Sequence, residues 1–171
     1  MIQSGFIPLA PMKIVRLGDR YFDLHSPQDR ARVSPVALRS FLDLMRQWEV
    51  TDAEARTLMG RVTVEEFEQL RARPQDQVLD PAKLKRIACL VGIWRELSLL
   101  HGAQVAGEWI RLPNSHPMFC RVQPLHFMLI GGAPAMANVL RLLARRRRAG
   151  YESGAQESGS VSSPQPSDLP D

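Results

Sequence analysis

The sequence predicts an all-α fold, and three observations on its 171 residues support that class. Apolar residues recur at helical spacing along most of the chain. Typical N-terminal capping residues precede these stretches, and no stretch alternates apolar and polar residues as a half-buried strand does. The length suffices for one domain with its own core, and the composition is that of an ordinary soluble protein.

Residues 1–33 are predicted to form an N-terminal arm. They show no sustained period and contain scattered Pro and Gly, with a short strand predicted at residues 13–15 or 21–24. Residues 1–12 have neither a basic leader nor a clear cleavage site of a secretory signal, so we expect a cytoplasmic protein.

A first helix is predicted to begin at Ser34, with Pro35 in its first turn, and to end near Glu49. Its apolar residues recur every three or four positions and are expected to face the core. They are Val36, Leu38, Phe41, Leu42, Met45 and Trp48.

Two short helices are predicted next, joined by a turn at Gly60. Thr51 and Glu54 have the spacing of a capping box, and so have Thr63 and Glu66, which open the second and the third helix. Together with the first helix they form a helix-turn-helix-like segment over residues 34–79.

The longest helix is predicted to start at Asp80, a good N-cap followed by Pro81, and to end at Gly102. Its apolar stripe is very wide, which indicates a helix contacted from several sides. A shorter helix is predicted over residues 105–112, where Pro113 stops it.

The last helical region is predicted to consist of a turn over residues 124–130 and a helix that begins at Pro134 and ends at Gly150. Residues 152–171 are rich in Ser, Pro, Gly and acids, so we expect a disordered tail.

Residues 125–140 are almost free of charge and precede a run of arginines, a pattern that imitates a membrane span. The uncharged stretch is shorter than the roughly 20 residues that a bilayer requires, and the Gly-Gly-Ala-Pro sequence at residues 131–134 indicates a helix break. We therefore expect two short helices and no membrane.

All Lys and Arg residues lie before Gly150, so the folded body is more basic than the whole chain and favours anionic partners. Cys89 and Cys120 match no ligand spacing, and both are predicted to be core residues without a disulfide. His116 and His126 belong to no metal pattern, and no Ser, His and Asp residues suggest an activated nucleophile. We expect no metal and no cofactor.

Between positions 41 and 151, the order and spacing of several residues resemble those of a known protein family. These residues are Arg86, Ile87, Gly92, Ile93, Leu97, Leu100, Trp109, Pro113, Asn114, Phe119, Pro124, Leu125, Leu129, Gly131, Gly132, Val139, Leu143 and Gly150. This order is similar to that of the toxin-binding domain of Xre/MbcA/ParS antitoxins, which carry a helix-turn-helix-like segment ahead of it. The resemblance assigns the toxin-binding domain to residues 80–151.

The resemblance implies a function. Such antitoxins typically neutralise a toxin with a RES domain, an NAD-consuming enzyme similar in fold to ADP-ribosylating toxins. By that likeness this chain is expected to bind the toxin as a homodimer and to block its active site, without being an enzyme. The residues expected at the toxin-binding site are Trp109, Asn114, Pro124, Leu125, Arg145, Arg146, Arg147 and Arg148.

Each of these residues also has a purely structural interpretation. Trp109 stands among apolar residues and is predicted to belong to the core, Asn114 to cap a turn, and Pro124 to begin a helix. Arginines at a helix C-terminus stabilise it by about 0.3 to 1 kcal/mol each. Four in a row exceed that need, so partner binding and a solvated helix end both remain open for them.

The chain departs from the family in two places. Many members have a Gly-containing turn where this chain has Cys120, Arg121 and Val122, so a different loop path is expected. Arg56 stands four residues before Gly60, where a helix-turn-helix normally has a small residue.

A DNA-binding transcriptional regulator is the alternative function, acting through residues 51–72. Glu65, Glu66 and Glu68 in the third helix would repel phosphates, so we expect weak DNA binding there. An accessory subunit of an enzyme is a third interpretation.

Overall fold

The computed structural model of the chain describes residues 14–17 and 20–157, and the side chains of residues 21–150. In these ranges six α-helices account for most residues, which confirms the all-α prediction. The elements are β1 (Ile14–Leu17), β2 (Arg20–Asp23), α1 (Pro27–Gln47), α2 (Asp52–Met59), α3 (Val64–Ala72), α4 (Pro81–His101), α5 (Ala103–Trp109) and α6 (Pro124–Glu157), with single 3-10 turns at Pro74–Asp76 and Pro117–Phe119.

Both positions predicted for a short strand belong to a small hairpin. β1 and β2 pair antiparallel, with Ile14 opposite Asp23 and Leu17 opposite Arg20. The hairpin packs on the helices, because β1 contacts α4 and β2 contacts α1.

Helix α1 begins two turns earlier than predicted, so the predicted start at Ser34 is wrong. Ser26 is the N-cap, and its Oγ accepts the N–H of Asp29 at 3.2 Å. Pro27 follows at the first helical position. The region predicted as an irregular arm therefore contributes the first two turns of a helix.

Ser34 has a tertiary role instead. Its side chain is fully buried inside α1, where Oγ donates to the carbonyl of Arg30 at 2.6 Å and accepts the N–H of Leu79 at 2.8 Å. This contact ties α1 to the segment that leads into α4. Ser26-Pro27 and Ser34-Pro35 have the same sequence pattern of a capping serine followed by proline. The second pair lies inside the helix, where Ser34 bonds to Leu79 instead of capping.

The next three helices start where the sequence predicts. The Thr51 side chain accepts the N–H of Glu54, whose carboxylate in turn accepts the N–H of Thr51, so a complete capping box opens α2. Thr63 caps α3 by accepting the N–H of Glu66 at 3.1 Å, and Asp80 caps α4 by accepting the N–H of Lys83 at 2.9 Å. The predicted capping box of Thr63 and Glu66 is only half formed, because the Glu66 carboxylate pairs with Lys83 instead. Gly60 ends α2 at φ 118°, a left-handed conformation that favours glycine.

Helix α4 is the centre of the bundle, as its wide apolar stripe predicts. It contacts α1, α2, α5, α6 and β1. The helices α4 and α6 run in the same direction, because Gly92 lies against Leu140 and, one turn further along α4, Glu96 contacts Arg147. A methyl group added to Gly92 would lie 3.1 Å from Cδ1 of Leu140, so a residue without a side chain permits this close approach.

Helix α5 starts and ends earlier than the predicted range of residues 105–112. Gly102, at φ 85°, separates it from α4, and the helix stops at Trp109. The carbonyl of the next residue, Ile110, accepts the N–H of Leu125 at 2.9 Å. The carbonyl of Ile110 thus bonds to the first turn of α6 instead of continuing the hydrogen bonds of α5.

Helix α6 is broken where a break is predicted. Gly132 has φ 59° and ψ −145°, so the helix consists of two pieces that meet at this residue. The second piece continues through Gly150 to Glu157, so the predicted end at Gly150 is wrong. The predicted disorder is also wrong for residues 152–157, which are helical, while residues 158–171 lie outside the described residues.

One hydrophobic core joins the two predicted segments. Its fully buried members include Phe41 from α1, Leu58 from α2, Leu90 from α4 and Met136 and Leu143 from α6. The helix-turn-helix-like segment and the C-terminal helices therefore share a core.

By length and composition, Pro124–Gly150 is one helix that could cross a membrane, and a third of its most apolar window is buried inside the fold. A core helix of a soluble protein passes the same test. In the bundle this helix packs on α4 and is broken at Gly132.

Candidate functional site

The strongest charge feature of the described chain is the second piece of α6. From Pro124 to Tyr151 the sequence has five arginines and neither Asp nor Glu. Arg141, Arg145 and Arg148 are exposed and follow each other at intervals of four and three residues, so they lie on one side of the helix. These three residues are called the arginine face below.

The remaining two arginines of α6 point elsewhere. Arg146 is exposed, but the helical period places it away from the arginine face. Arg147 turns inward, and its Nε–H donates to Oε2 of Glu96 at 2.6 Å. Because the side chain of Glu96 is only 10% exposed, Arg147 neutralises a buried charge on α4. Of the four consecutive arginines, one is therefore structural.

The helix-dipole interpretation of these arginines does not apply. It requires them in the last turn of the helix, but α6 extends to Glu157, more than two turns beyond Arg148. The arginine face lies within a helix, and the cations are not there to stabilise its end.

Trp109 lies at the edge of the core, half-buried. Its ring packs edge to face against Phe119, with centroids 5.8 Å apart, and Phe119 packs likewise against Phe127 at 5.4 Å. This row of aromatic rings fixes the end of α5 to the loop after it and to the first piece of α6. The prediction of a core role holds for the packed side of the Trp109 ring.

The loop between α5 and α6 is held by Asn114, as predicted for a turn cap. Its Oδ1 accepts the N–H of His116 at 3.0 Å, and its own N–H donates to the carbonyl of Val122 at 3.3 Å. Pro124 begins α6 and is buried together with Leu125, whose N–H donates to the carbonyl of Ile110, so these two residues lie where α6 meets the end of α5 and not at the arginine face.

The same loop takes the strained path that the missing glycine suggests. Cys120 and Arg121 both adopt left-handed backbone conformations, with φ 49° and 65°. Cys120 is exposed, so its predicted place in the core is wrong. Cys89 is buried as predicted, and burial raises the pKa of its thiol, although Arg86 opposes this shift. Both thiols are free.

The outer surface of α3 has the opposite charge. The pKa of Glu65 lies below its ordinary value, because its carboxylate accepts hydrogen bonds from its own backbone N–H and from Thr63. Arg71 donates to Asp52 at 3.1 Å and to Glu68 at 2.5 Å. These contacts compensate its charge, which leaves α3 without a free cation for a phosphate.

Two residues near the arginine face were not identified from the sequence. Glu96 holds Arg147 across 51 positions of sequence, and no local pattern reveals such a pair. Asn138 contacts Arg141, and here the spacing of three residues in a helix could have indicated the contact.

Within the described residues no group of three or more His, Cys, Asp and Glu side chains could hold a metal ion. Comparison of the chain with family models, with curated proteins and with solved structures finds no match.

Proposed function

We propose that this protein is the antitoxin of a type II toxin–antitoxin system, which binds a RES-domain, NAD-consuming toxin and blocks access to its active site. The observation that carries the proposal is the arginine face, three exposed cations on a helix without a carboxylate before residue 152. Its position supports the proposal, because the family resemblance assigns toxin binding to this part of the chain.

The fold presents the arginine face as a rigid surface. Glu96 and Arg147 fix the rotation of α6 on α4, and the close contact of Gly92 with Leu140 fixes their distance. The packing fixes the backbone positions from which the three arginines extend, and their charge steers an acidic partner toward the site. An acidic surface beside the active site of the toxin is the matching partner.

In this proposal the remaining expected site residues have a structural role. Trp109 and Asn114 hold the loop beside α6, and Pro124 and Leu125 anchor the start of that helix from the buried side. In this proposal the protein inhibits by contact in a cytoplasmic complex, as a homodimer with no cofactor.

Co-expression tests the proposal. The RES-domain toxin expressed alone should arrest growth, and simultaneous expression of this chain should restore growth and yield a complex that survives size-exclusion chromatography. Persistent arrest in the presence of soluble, folded chain would refute the antitoxin function.

A second candidate function is a DNA-binding regulator, favoured by the pair of short helices joined at the left-handed Gly60. The compensated charges of α3 speak against this pair as the DNA contact. Any DNA binding by the full chain should instead depend on the arginine face and fall steeply with salt. Operator binding that is tight in high salt and survives Arg141→Gln, Arg145→Gln and Arg148→Gln together would favour the regulator.

A further inference from the structure

A small groove lies between the second piece of α6 and the 3-10 turn at Pro117–Phe119. Its volume is about 200 Å³, and it is lined by His116, Met118, Asn138, Arg141, Leu142 and Arg145. Four of these six side chains are polar, none is a carboxylate, and two are cations.

His116 faces the groove in a defined state. Its Nδ1 accepts the N–H of Met118 at 3.2 Å, so Nε2 is the ring nitrogen that can donate a hydrogen bond. The ring also packs edge to face on Phe119, with centroids 6.2 Å apart. Backbone and aromatic contacts therefore hold the imidazole so that its free group is a donor.

Asn138 and Arg141 are joined so that their donors remain available. Arg141 donates from Nη2 to Oδ1 of Asn138 at 2.5 Å and from Nε to the carbonyl of Ala137 at 3.4 Å. Three of the five N–H groups of this guanidinium stay unused, and because Oδ1 of Asn138 is the acceptor, its NH₂ group can still donate. The side chain of Arg145 makes no hydrogen bond or ion pair with any described residue, so its guanidinium donors are available.

The groove therefore offers donors from four side chains on two sides, and no carboxylate. A carboxylate has two oxygens and is satisfied by one bidentate arginine, whereas a phosphate group presents three acceptor oxygens that donors can reach from several directions. Arginine is also suited to phosphate by its planar, bidentate geometry. We propose that this groove is a phosphate-binding site, in which Arg141, Arg145, His116 and Asn138 hold the oxygens of inorganic phosphate or of a small phosphate monoester.

The two apolar residues distinguish these sources. Met118 and Leu142 line the groove beside the donors, and they can contact an apolar ester group that inorganic phosphate lacks. Phenyl phosphate should consequently bind more tightly than inorganic phosphate, and equal binding would identify the free anion as the ligand. Phosphate binding here does not rest on the antitoxin function, so either can fail without the other.

Calorimetric titration of the full chain with sodium phosphate tests the site, with sodium chloride keeping the ionic strength constant. We expect saturable binding of one phosphate per chain, and about tenfold or more weaker binding for Arg145→Gln, which removes charged hydrogen bonds. Arg145→Lys keeps the charge but loses the bidentate geometry and should also weaken binding. Arg146→Gln is the matched control, since it removes the same charge outside the groove and should leave binding unchanged.

The imidazole provides an independent readout. In ¹⁵N-detected spectra the Nε2–H resonance of His116 should shift with phosphate along the same saturation curve, and this shift should disappear in Arg145→Gln. Arg145 and Arg146 are both exposed, so neither substitution should disturb the fold. Unchanged melting curves of the two variants will establish that they fold. Absence of saturation, equal binding of acetate, or equal losses in Arg145→Gln and Arg146→Gln would overturn the phosphate site.

Discussion

Helices α3 and α6 both expose charged side chains, but the arginine of α3 is paired with carboxylates, whereas the arginine face of α6 is not. On α3, Arg71 donates to two carboxylates, and the neighbouring Lys83 of α4 lies between Glu66 at 3.1 Å and Asp80 at 2.7 Å. On the arginine face of α6 no carboxylate contacts any of the three cations among the described residues. The number of charges is thus a poor guide to a binding surface, and the number of uncompensated donors is a better one.

The ion pair of Arg147 provides the largest expected effect on stability. Arg147→Ala leaves the buried carboxylate of Glu96 unpaired, and because the arginine is 41% exposed we expect a loss of about 2 to 3 kcal/mol, below the value for a fully buried pair. The matched change on α3, Arg71→Ala, breaks an exposed pair that solvent screens, and should reduce the free energy of unfolding much less than Arg147→Ala does.

Urea denaturation of both variants measures this contrast. The double variant Glu96→Gln with Arg147→Ala should recover part of the loss, because no charge remains buried. Equal destabilisation by Arg71→Ala and Arg147→Ala would contradict the division of the arginines into structural and free ones.

Gly132 and Gly150, two of the glycines of α6, should respond to substitution with opposite signs. Gly132→Ala forces a side chain into a conformation that only glycine adopts readily, and should destabilise the fold by about 1 to 3 kcal/mol. Gly150 lies inside the helix with open space around it, so Gly150→Ala should stabilise by about 0.5 to 1 kcal/mol. Thermal melting of the two variants decides the point, and destabilisation by Gly150→Ala would indicate that the helix ends there.

A smaller effect is expected in the loop beside the arginine face. Arg121→Gly relieves a left-handed conformation, and the gain of about 1 to 2 kcal/mol is reduced by the greater entropy of glycine in the unfolded chain. We expect a net stabilisation of about 0.5 kcal/mol or more, measured as a higher urea midpoint. Phosphate binding should not change, since Arg121 does not line the groove. A lower midpoint would contradict the inferred strain.

Local signals predict much of this fold. The capping residues of α2, α3 and α4 lie at the predicted positions because each cap is a contact over three residues. Ser34 was misassigned because its hydrogen bond to Leu79 spans 45 positions, which no local rule contains. The break at Gly132 was predictable, but the extension of α6 beyond Gly150 was not, since a glycine inside a helix and one at its end look alike in sequence.

The candidate site was predictable only in part, because some of its contacts are local in sequence and others join distant positions. The four consecutive arginines stand out in the sequence, whereas the inward turn of Arg147 follows from Glu96 on another helix. Arg141 was not among the expected site residues, although the helix predicted from Pro134 to Gly150 contains both Arg141 and Arg145; its spacing of four residues from Arg145 could have indicated a shared side of that helix. The groove also requires His116 from the loop, whose position is set by Asn114 and Phe119.

The dissociation constant of the complex with the RES-domain toxin tests the central claim most directly. Replacement of Arg141, Arg145 and Arg148 by Gln should weaken the complex by about a hundredfold or more, since charge-assisted contacts across an interface are lost. The control replaces Arg32, Arg39 and Arg46, three exposed arginines on one side of α1, and removes the same net charge. We predict nearly unchanged affinity for the control. Equal weakening by both sets, or none by the first, would contradict the arginine face as the toxin-binding surface.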